Sequence, residues 1–227
     1  MNPQGKGKIE WTDFTLSIVT GCKHACQYGP HKKCYADLIA QRIYKEKFVP
    51  TFRPERLKDK DLGKVKAGSK IFLSDMGDLF GDWVPDAWIE AHQWLVEKYP
   101  QYIFQFLTKN PKRYVEFSFP ENCWLGTTWD GLPFTHSNID ILCDSVPNTN
   151  VTFVSFEPLL APYPGELPVD AIDWIIIGEL TGNPTHESHK YVKYWAEALI
   201  KQAQVLDIPV FVKNQLGATY PQREFPR

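Results

Sequence analysis

Six short apolar runs recur along the chain: KIFLSD (70–75), YIFQFLTK (102–109), NCWLGTT (122–128), VTFVSFEP (151–158), DWIIIGE (173–179) and IPVFVKNQ (208–215). FTLSIVTG (14–21) makes a seventh and VPTFRP (49–54) a weak eighth. Each ends in small or polar residues. Strands read as near-continuous apolar runs when both faces of their sheet are covered, which is the situation of parallel sheets flanked by helices. Between the runs lie stretches of helical period. YADLIAQRIYKEK places Tyr35, Leu38, Ile39 and Ile43 on one face. PDAWIEAHQWLVEK does so with Trp88, Ala91, Trp94 and Leu95, and YVKYWAEALIKQAQVL with Val192, Trp195, Leu199, Ala203 and Leu206. Alternation of strand and helix predicts an α/β fold of βα units. Seven or eight units in 227 residues predict one domain over 1–227, a parallel βα barrel, full or partial, of the TIM-barrel type. An open doubly wound sheet is the alternative.

Composition supports a buried core: 43% of residues are hydrophobic, with 8 Trp, 14 Phe and 10 Tyr. The opening segment MNPQGKGKIEWTD lacks an apolar secretory region, and no run approaches the ~20 residues of a membrane span, so the expectation is a cytoplasmic protein with no membrane partner. A formal net charge of -2 does not signal nucleic acid across the whole chain, although a local basic patch is compatible with it.

In a βα barrel the reacting groups gather where the strands end and the βα loops meet. Polar residues fall there in series: Cys22, Cys26 and Cys34; Ser74, Asp75 and Asp78; Thr108 and Lys109; Thr127 and Thr128; Glu157; Glu179; Lys213 and Gln215. The densest group is TGCKHACQYGPHKKCYA (20–36), which holds three of the five cysteines. An odd, clustered set in a reducing compartment points to metal ligation rather than to disulfides. Zinc would need a fourth ligand, His24 or His31, and the gaps of three and seven residues fit a structural zinc site poorly. A cubane iron-sulfur cluster held by three thiolates keeps one iron open to a cofactor or substrate.

Cys22, three residues, Cys26, one residue and Tyr28 resemble the CxxxCxΦC signature of radical S-adenosylmethionine (SAM) enzymes, with GPHKK standing between Tyr28 and Cys34. IEWTD (9–13), PTFRPERL (50–57), DLF (78–80), FLTKNPKR (106–113), WLG (124–126), VSFEPLLAP (154–162) and IDWIIIG (172–178) are similar, in order, to the motifs of a phage and prophage family of unknown function treated as radical-SAM-like. The spore photoproduct lyase branch is a more distant likeness. The chain departs from that family at GELTG (178–182), at FVKNQLG (211–217) and at Asn110.

The resemblance implies a [4Fe-4S] cluster on Cys22, Cys26 and Cys34. It also implies reductive cleavage of SAM to modify an unnamed substrate, with a nucleotide or nucleic acid among the candidate classes. A reductant protein such as a flavodoxin or ferredoxin would be a partner. Tyr28 is expected near the adenine. Ser74, Asp78, Thr108 and Lys109 are expected toward the ribose and amino-acid end, with Lys109 on the carboxylate, and Glu157 and Glu179 toward SAM or substrate. A turn at Gly29 and Pro30 should bring the three sulfurs to a common point. The rival reading is a non-enzymatic Cys3His zinc module whose KHACQYGPHKK loop contacts nucleic acid.

Cys123 and Cys143 are expected as small core residues and His92 as a surface residue on its helix. The lysines from 45 to 66 alternate with acids and are expected on a solvated face, and His136, His186 and His189 receive no role.

Overall fold

The structure is a computed structural model that describes residues 1–29, 34–58, 60–181, 185–213, 216 and 219–226. Its strands are β1 (Asn2–Pro3), β2 (Phe14–Leu16), β3 (Val19–Thr20), β4 (Thr51–Phe52), β5 (Lys70–Leu73), β6 (Ile103–Thr108), β7 (Cys123–Thr128), β8 (Thr152–Phe156), β9 (Trp174–Ile177) and β10 (Val210–Val212). The α-helices are α1 (Tyr35–Ile43), α2 (Asp86–Lys98), α3 (Asn138–Ser145) and α4 (Val192–Val205). Eight strands form one sheet in the order β1-β2-β5-β6-β7-β8-β9-β10, parallel from β2 to β10, with β1 antiparallel at one edge.

This corrects the expected parallel βα barrel. The sheet is mixed and open, a half-barrel whose two edge strands do not pair. The helical layer is also sparse: a 3₁₀ segment, Pro111–Glu116, takes the place of a helix between β6 and β7. The weak eighth run contributes β4, which pairs antiparallel with β3 in a separate two-stranded sheet. The physical reason lies in the terminal segments. Residues 222–224 lie along β10, with Val212 donating to the Gln222 carbonyl at 3.0 Å and Glu224 donating to that of Val210 at 3.0 Å. That edge is thereby covered rather than left to pair with another strand.

The same segments fill the concave face. Side chains alternate across each strand, so Ile71, Leu73, Phe104, Phe106, Val154, Phe156, Ile175 and Ile177 join the core beneath the helices. Phe72, Trp124, Phe153, Trp174, Ile176 and Phe211 face the other way and enclose Trp11, with Phe225 packed against them. The Trp11 ring lies 4.7 Å from Phe72, and Trp174 lies 5.4 Å from Phe225. Arg223 pairs with Glu10 at 2.8 Å, linking the two terminal segments. Losing a buried ring of this size to Ala costs about 3–5 kcal/mol in a typical core, so these contacts are a large share of the stability of such a domain.

Two helices present faces other than the expected ones. Helix α2 buries Ile89, His92, Leu95 and Val96, one position away from the predicted stripe, and leaves Trp94 exposed. Helix α1 buries only Ala36 and Ala40, which pack with Met76, so the predicted stripe of Tyr35, Leu38, Ile39 and Ile43 faces outward. Small residues let α1 approach closely, and its larger apolar side chains are left in solvent. Helix α4 follows expectation at Val192, Leu199 and Ala203. Cys123 is fully buried and Cys143 packs partly against the core, as expected of small apolar residues.

His92, expected at the surface, has no exposure at all. Its Nδ1 lies 2.6 Å from the Trp88 carbonyl and its Nε2 lies 3.2 Å from Ser74 Oγ, which accepts from Val19 N at 3.2 Å. This chain of bonds needs a neutral ring that donates at Nδ1 and accepts at Nε2. Burial pushes the His92 pKa down to about 4. The unfolded chain therefore binds a proton between the ordinary pKa near 6.5 and about 4 that the folded chain refuses, and stability falls as pH drops through that window. Between pH 7 and pH 5 the loss from this one group should be about 2 kcal/mol, at ~1.4 kcal/mol per pH unit. Urea midpoints measured across that range should show it, and His92→Gln should flatten the slope whatever its own stability.

Candidate active site

The loop after β3 begins at Gly21, where the backbone must turn sharply. Gly21 has φ +85, and a Cβ there would lie 2.3 Å from the Val49 carbonyl oxygen. Its neighbour across an isolated parallel bridge is Gly77, whose own Cβ would lie 2.8 Å from the Gly21 oxygen. Two glycine backbones thus touch, one entering the cysteine loop and one entering the segment that carries Asp78. Only glycine meets both the positive φ and the close approach.

Asp78 then joins three elements. Its Oδ1 accepts from Thr108 Oγ1 at 2.7 Å and from Phe80 N at 3.0 Å. Its Oδ2 accepts from Lys109 N at 2.9 Å and pairs with His24 Nε2 at 2.8 Å. Burial raises the carboxyl's pKa, but the bonds from His24, Lys109 N and Thr108 outweigh it and hold the group below its ordinary value. The cysteine loop is therefore tied to the end of β6 through one ionised side chain.

Above these residues opens a cavity of about 580 Å³, within the range usual for small-molecule sites. Cys22, Cys26, Tyr28, Cys34, Asp78, Thr108, Lys109, Glu157 and Glu179 all line it. Of the described residues singled out in the sequence for cofactor or metal, Ser74 alone does not. Its hydroxyl serves His92 and Val19 beneath the site, and Asp75 lines the cavity instead. Gln215, His31 and the Pro30 of the expected turn lie outside the described residues.

The sulfurs share the cavity without forming a preset centre. Cys22 and Cys26 sit in the loop after β3, whereas Cys34 stands at the N-terminus of α1, so the triad rides on two elements. Among the described residues no three His, Cys, Asp or Glu side chains are gathered to hold a metal ion. Burial pushes the Cys22 thiol far up, aided by the Asp78 charge and by the other two cysteines. Burial and Cys34 likewise raise Cys26, against the opposing pull of Lys109. Two desolvated thiols with a third beside them suit a cationic, thiophilic centre, because positive charge would offset both the desolvation of Cys22 and Cys26 and the repulsion among thiolates. In donor chemistry the set fits.

The charged lining residues are nearly all paired. Lys109 Nζ pairs with Asp130 Oδ2, Lys213 Nζ with Glu157 Oε1, and Glu179 Oε2 lies 3.1 Å from His189 Nδ1. The Lys109 ammonium also lies 5.7 Å from the Tyr28 ring and 5.4 Å from that of Phe134. Asp130 went unnoticed in the sequence although it is fully buried and accepts from Thr135 Oγ1 at 2.8 Å and Leu132 N at 3.0 Å. Its signal was the WDG that follows β7, an acid before a turn glycine two residues past the strand end. Thr127, by contrast, turns its hydroxyl to the Thr108 carbonyl at 2.9 Å and serves the sheet.

The family described as "Protein of unknown function (DUF5131)" matches residues 6–225. No curated protein and no solved structure matches the chain.

Substituting Gly21 by Ala should destabilise the fold by more than ~2 kcal/mol, since it adds left-handed strain to a backbone clash. A fall in thermal midpoint of several degrees would register it. A midpoint unchanged within one degree would show that the loop can relax and that the glycine contact is dispensable.

Proposed function

Taking as premise that the chain belongs to the DUF5131 family, whose function is unknown, we propose that it is a radical SAM enzyme. Cys22, Cys26 and Cys34 would hold a [4Fe-4S] cluster, and the cavity they border would take SAM and a substrate. The observation that carries this reading is that all three cysteines line one cavity together with six further polar or aromatic residues singled out from sequence. The likeness of the motifs to a phage and prophage family treated as radical-SAM-like supports it. When bound, such a cluster would pass one electron from an external reductant to the SAM sulfonium, so that its S–C5' bond breaks to give methionine and a 5'-deoxyadenosyl radical.

The protein's own residues bind, orient and exclude water. Asp78 fixes His24, and with it the cysteine loop, against the backbone of Lys109. It has four hydrogen bonds already, so it positions the loop rather than meeting the ribose. Thr108 is similarly occupied, donating to Asp78 and accepting from Asn110 N at 2.9 Å. Lys109 meets the SAM carboxylate only by sharing its ammonium with Asp130, which makes it a weaker anchor than an unpaired cation. Tyr28, buried beside Cys26, offers a ring face to the adenine. Glu157 and Glu179 stand at the ends of the succeeding strands, toward the substrate side. No helix among the described residues is long and apolar enough to cross a membrane.

Anaerobic reconstitution with iron and sulfide should give a brown protein, and dithionite with SAM should then yield 5'-deoxyadenosine by mass spectrometry. Cys22→Ala, Cys26→Ala and Cys34→Ala should each abolish colour and product, whereas Cys123→Ala and Cys143→Ala should spare both. A colourless protein that retains one zinc would overturn the proposal in favour of a structural zinc site.

A further inference from the structure

The net charge of -2 hides a strong asymmetry. Residues 20–66 hold 12 of the 25 Lys and Arg but only 5 of the 27 Asp and Glu, a net of +7, which leaves -9 on the rest of the chain. This basic stretch carries the cysteine loop and α1, and so it flanks the cavity. Lys23, Arg42, Lys45 and Lys47 are exposed. Arg53 and Arg56 gather over the Tyr44 ring, at 4.0 and 5.9 Å, where α1 ends. Between these cations lies the outward stripe of α1, with Tyr35 50%, Leu38 42%, Ile39 40% and Ile43 60% exposed. Tyr35 and Ile39 belong at once to this surface and to the cavity lining, and the Tyr35 hydroxyl donates to the Asp75 carbonyl at 2.9 Å.

We propose that the basic, aromatic face formed by α1 and the residues that flank it binds single-stranded nucleic acid and leads one base over Tyr35 into the cavity. The charge order selects this occupant. Cations lie outside, where phosphates can stay. The cavity wall holds aromatic rings, Trp11, Tyr28 and Phe72, and carboxylates, Glu157 and Glu179, whose charges are met by Lys213 and His189. A phosphate would find little net attraction among these paired charges, whereas a neutral base can stack on the rings and donate its amino protons to a carboxylate. A flat anionic membrane would meet the same cations but leave the receding rings unused. The assignment deepens the proposed function by naming its substrate class. It rests on that reading only for what happens to the base, because binding itself requires neither cluster nor SAM.

The test is fluorescence anisotropy of labelled mixed-sequence 12-mers, DNA and RNA, with the protein as purified, from 50 to 200 mM salt. Binding is expected to weaken with salt by ~0.7 in log-log slope for each phosphate contacted. Arg42→Glu with Lys45→Glu should weaken binding at least tenfold at 50 mM salt and lower the slope by about 1.4, the share of two contacts. Lys193→Glu with Lys201→Glu on α4 should change it by less than about threefold. Tyr35→Ala should cost about tenfold, as loss of one stacked base does, and Tyr35→Phe should restore most of it. Melting curves check that each variant is folded. The proposal is overturned by no binding at 50 mM salt, by indifference to the α1 reversal, or by phosphatidylserine vesicles or heparin binding as tightly with no effect of Tyr35→Ala. Binding to a protein that never takes up a cluster would support this inference and sink the proposed reaction; a brown, SAM-cleaving protein that ignores the oligomers would do the reverse.

Discussion

The ionised Asp78 carboxylate is the contact on which the arrangement of the site depends. It reaches into three structural neighbourhoods: the cysteine loop through His24, the end of β6 through Thr108 and Lys109 N, and its own turn through Phe80 N. A buried anion is tolerable only when its desolvation is repaid, and here four donors do so. The result is directional. Each donor has one geometry, so the loop that carries Cys22 and Cys26 has a fixed place relative to the sheet, which a purely apolar contact would not impose.

Around that anchor the site is built of opposites brought face to face. Lys109 with Asp130 joins the ends of neighbouring strands β6 and β7, and Lys213 with Glu157 reaches across β9 from β10 to β8. Such pairs leave a wall with strong local dipoles and little net field. A ligand entering it would be oriented by individual groups rather than drawn in by overall charge, while the long-range attraction comes from the basic stretch outside.

Much of this was legible in the sequence, for a physical reason. Runs such as DWIIIGE and YIFQFLTK are apolar throughout because β9 and β6 are covered on both faces, and the polar residues that end them must then lie at one rim. Hence Glu157, Glu179, Lys109 and the cysteines were placed together before any coordinates. What escaped was whatever depends on a partner distant in sequence. Closure of the sheet was illegible, because Trp11 and the segment around Arg223 occupy the concave face and the β10 edge, and nothing local in either says so. The face of α2 was read one residue out, since Trp88 and Trp94 look more apolar than His92, and a buried imidazole is acceptable there because the Ser74 hydroxyl and the Trp88 carbonyl meet both its nitrogens. The stripe of α1 was legible as a stripe and its outward direction was not, because periodicity reports that a face is apolar and not what lies against it. Ser74 was misplaced for a related reason: a hydroxyl at a strand end points either into the rim or back beneath it, and the sequence is the same for both.

The packing of Phe225 onto the aromatic cluster around Trp11, and the pairing of Glu10 with Arg223, have a consequence for how the chain comes to be folded in a cell. Contacts separated by more than two hundred residues cannot form while the chain is still being made, and the entropy of closing so long a loop must be met late. Trp11 is made first and can fill the inner face of Phe72, Trp124, Phe153 and Trp174 as each appears, but at elongation rates of roughly 5–20 residues per second the Phe225 ring follows Trp174 by about 3–10 seconds. A nascent chain of this kind presents the Trp174 and Phe211 end of this aromatic trough to its surroundings until residue 225 has cleared the ribosome. Its yield in the cell should therefore depend on what shelters that trough during synthesis, quite apart from how stable the finished fold is.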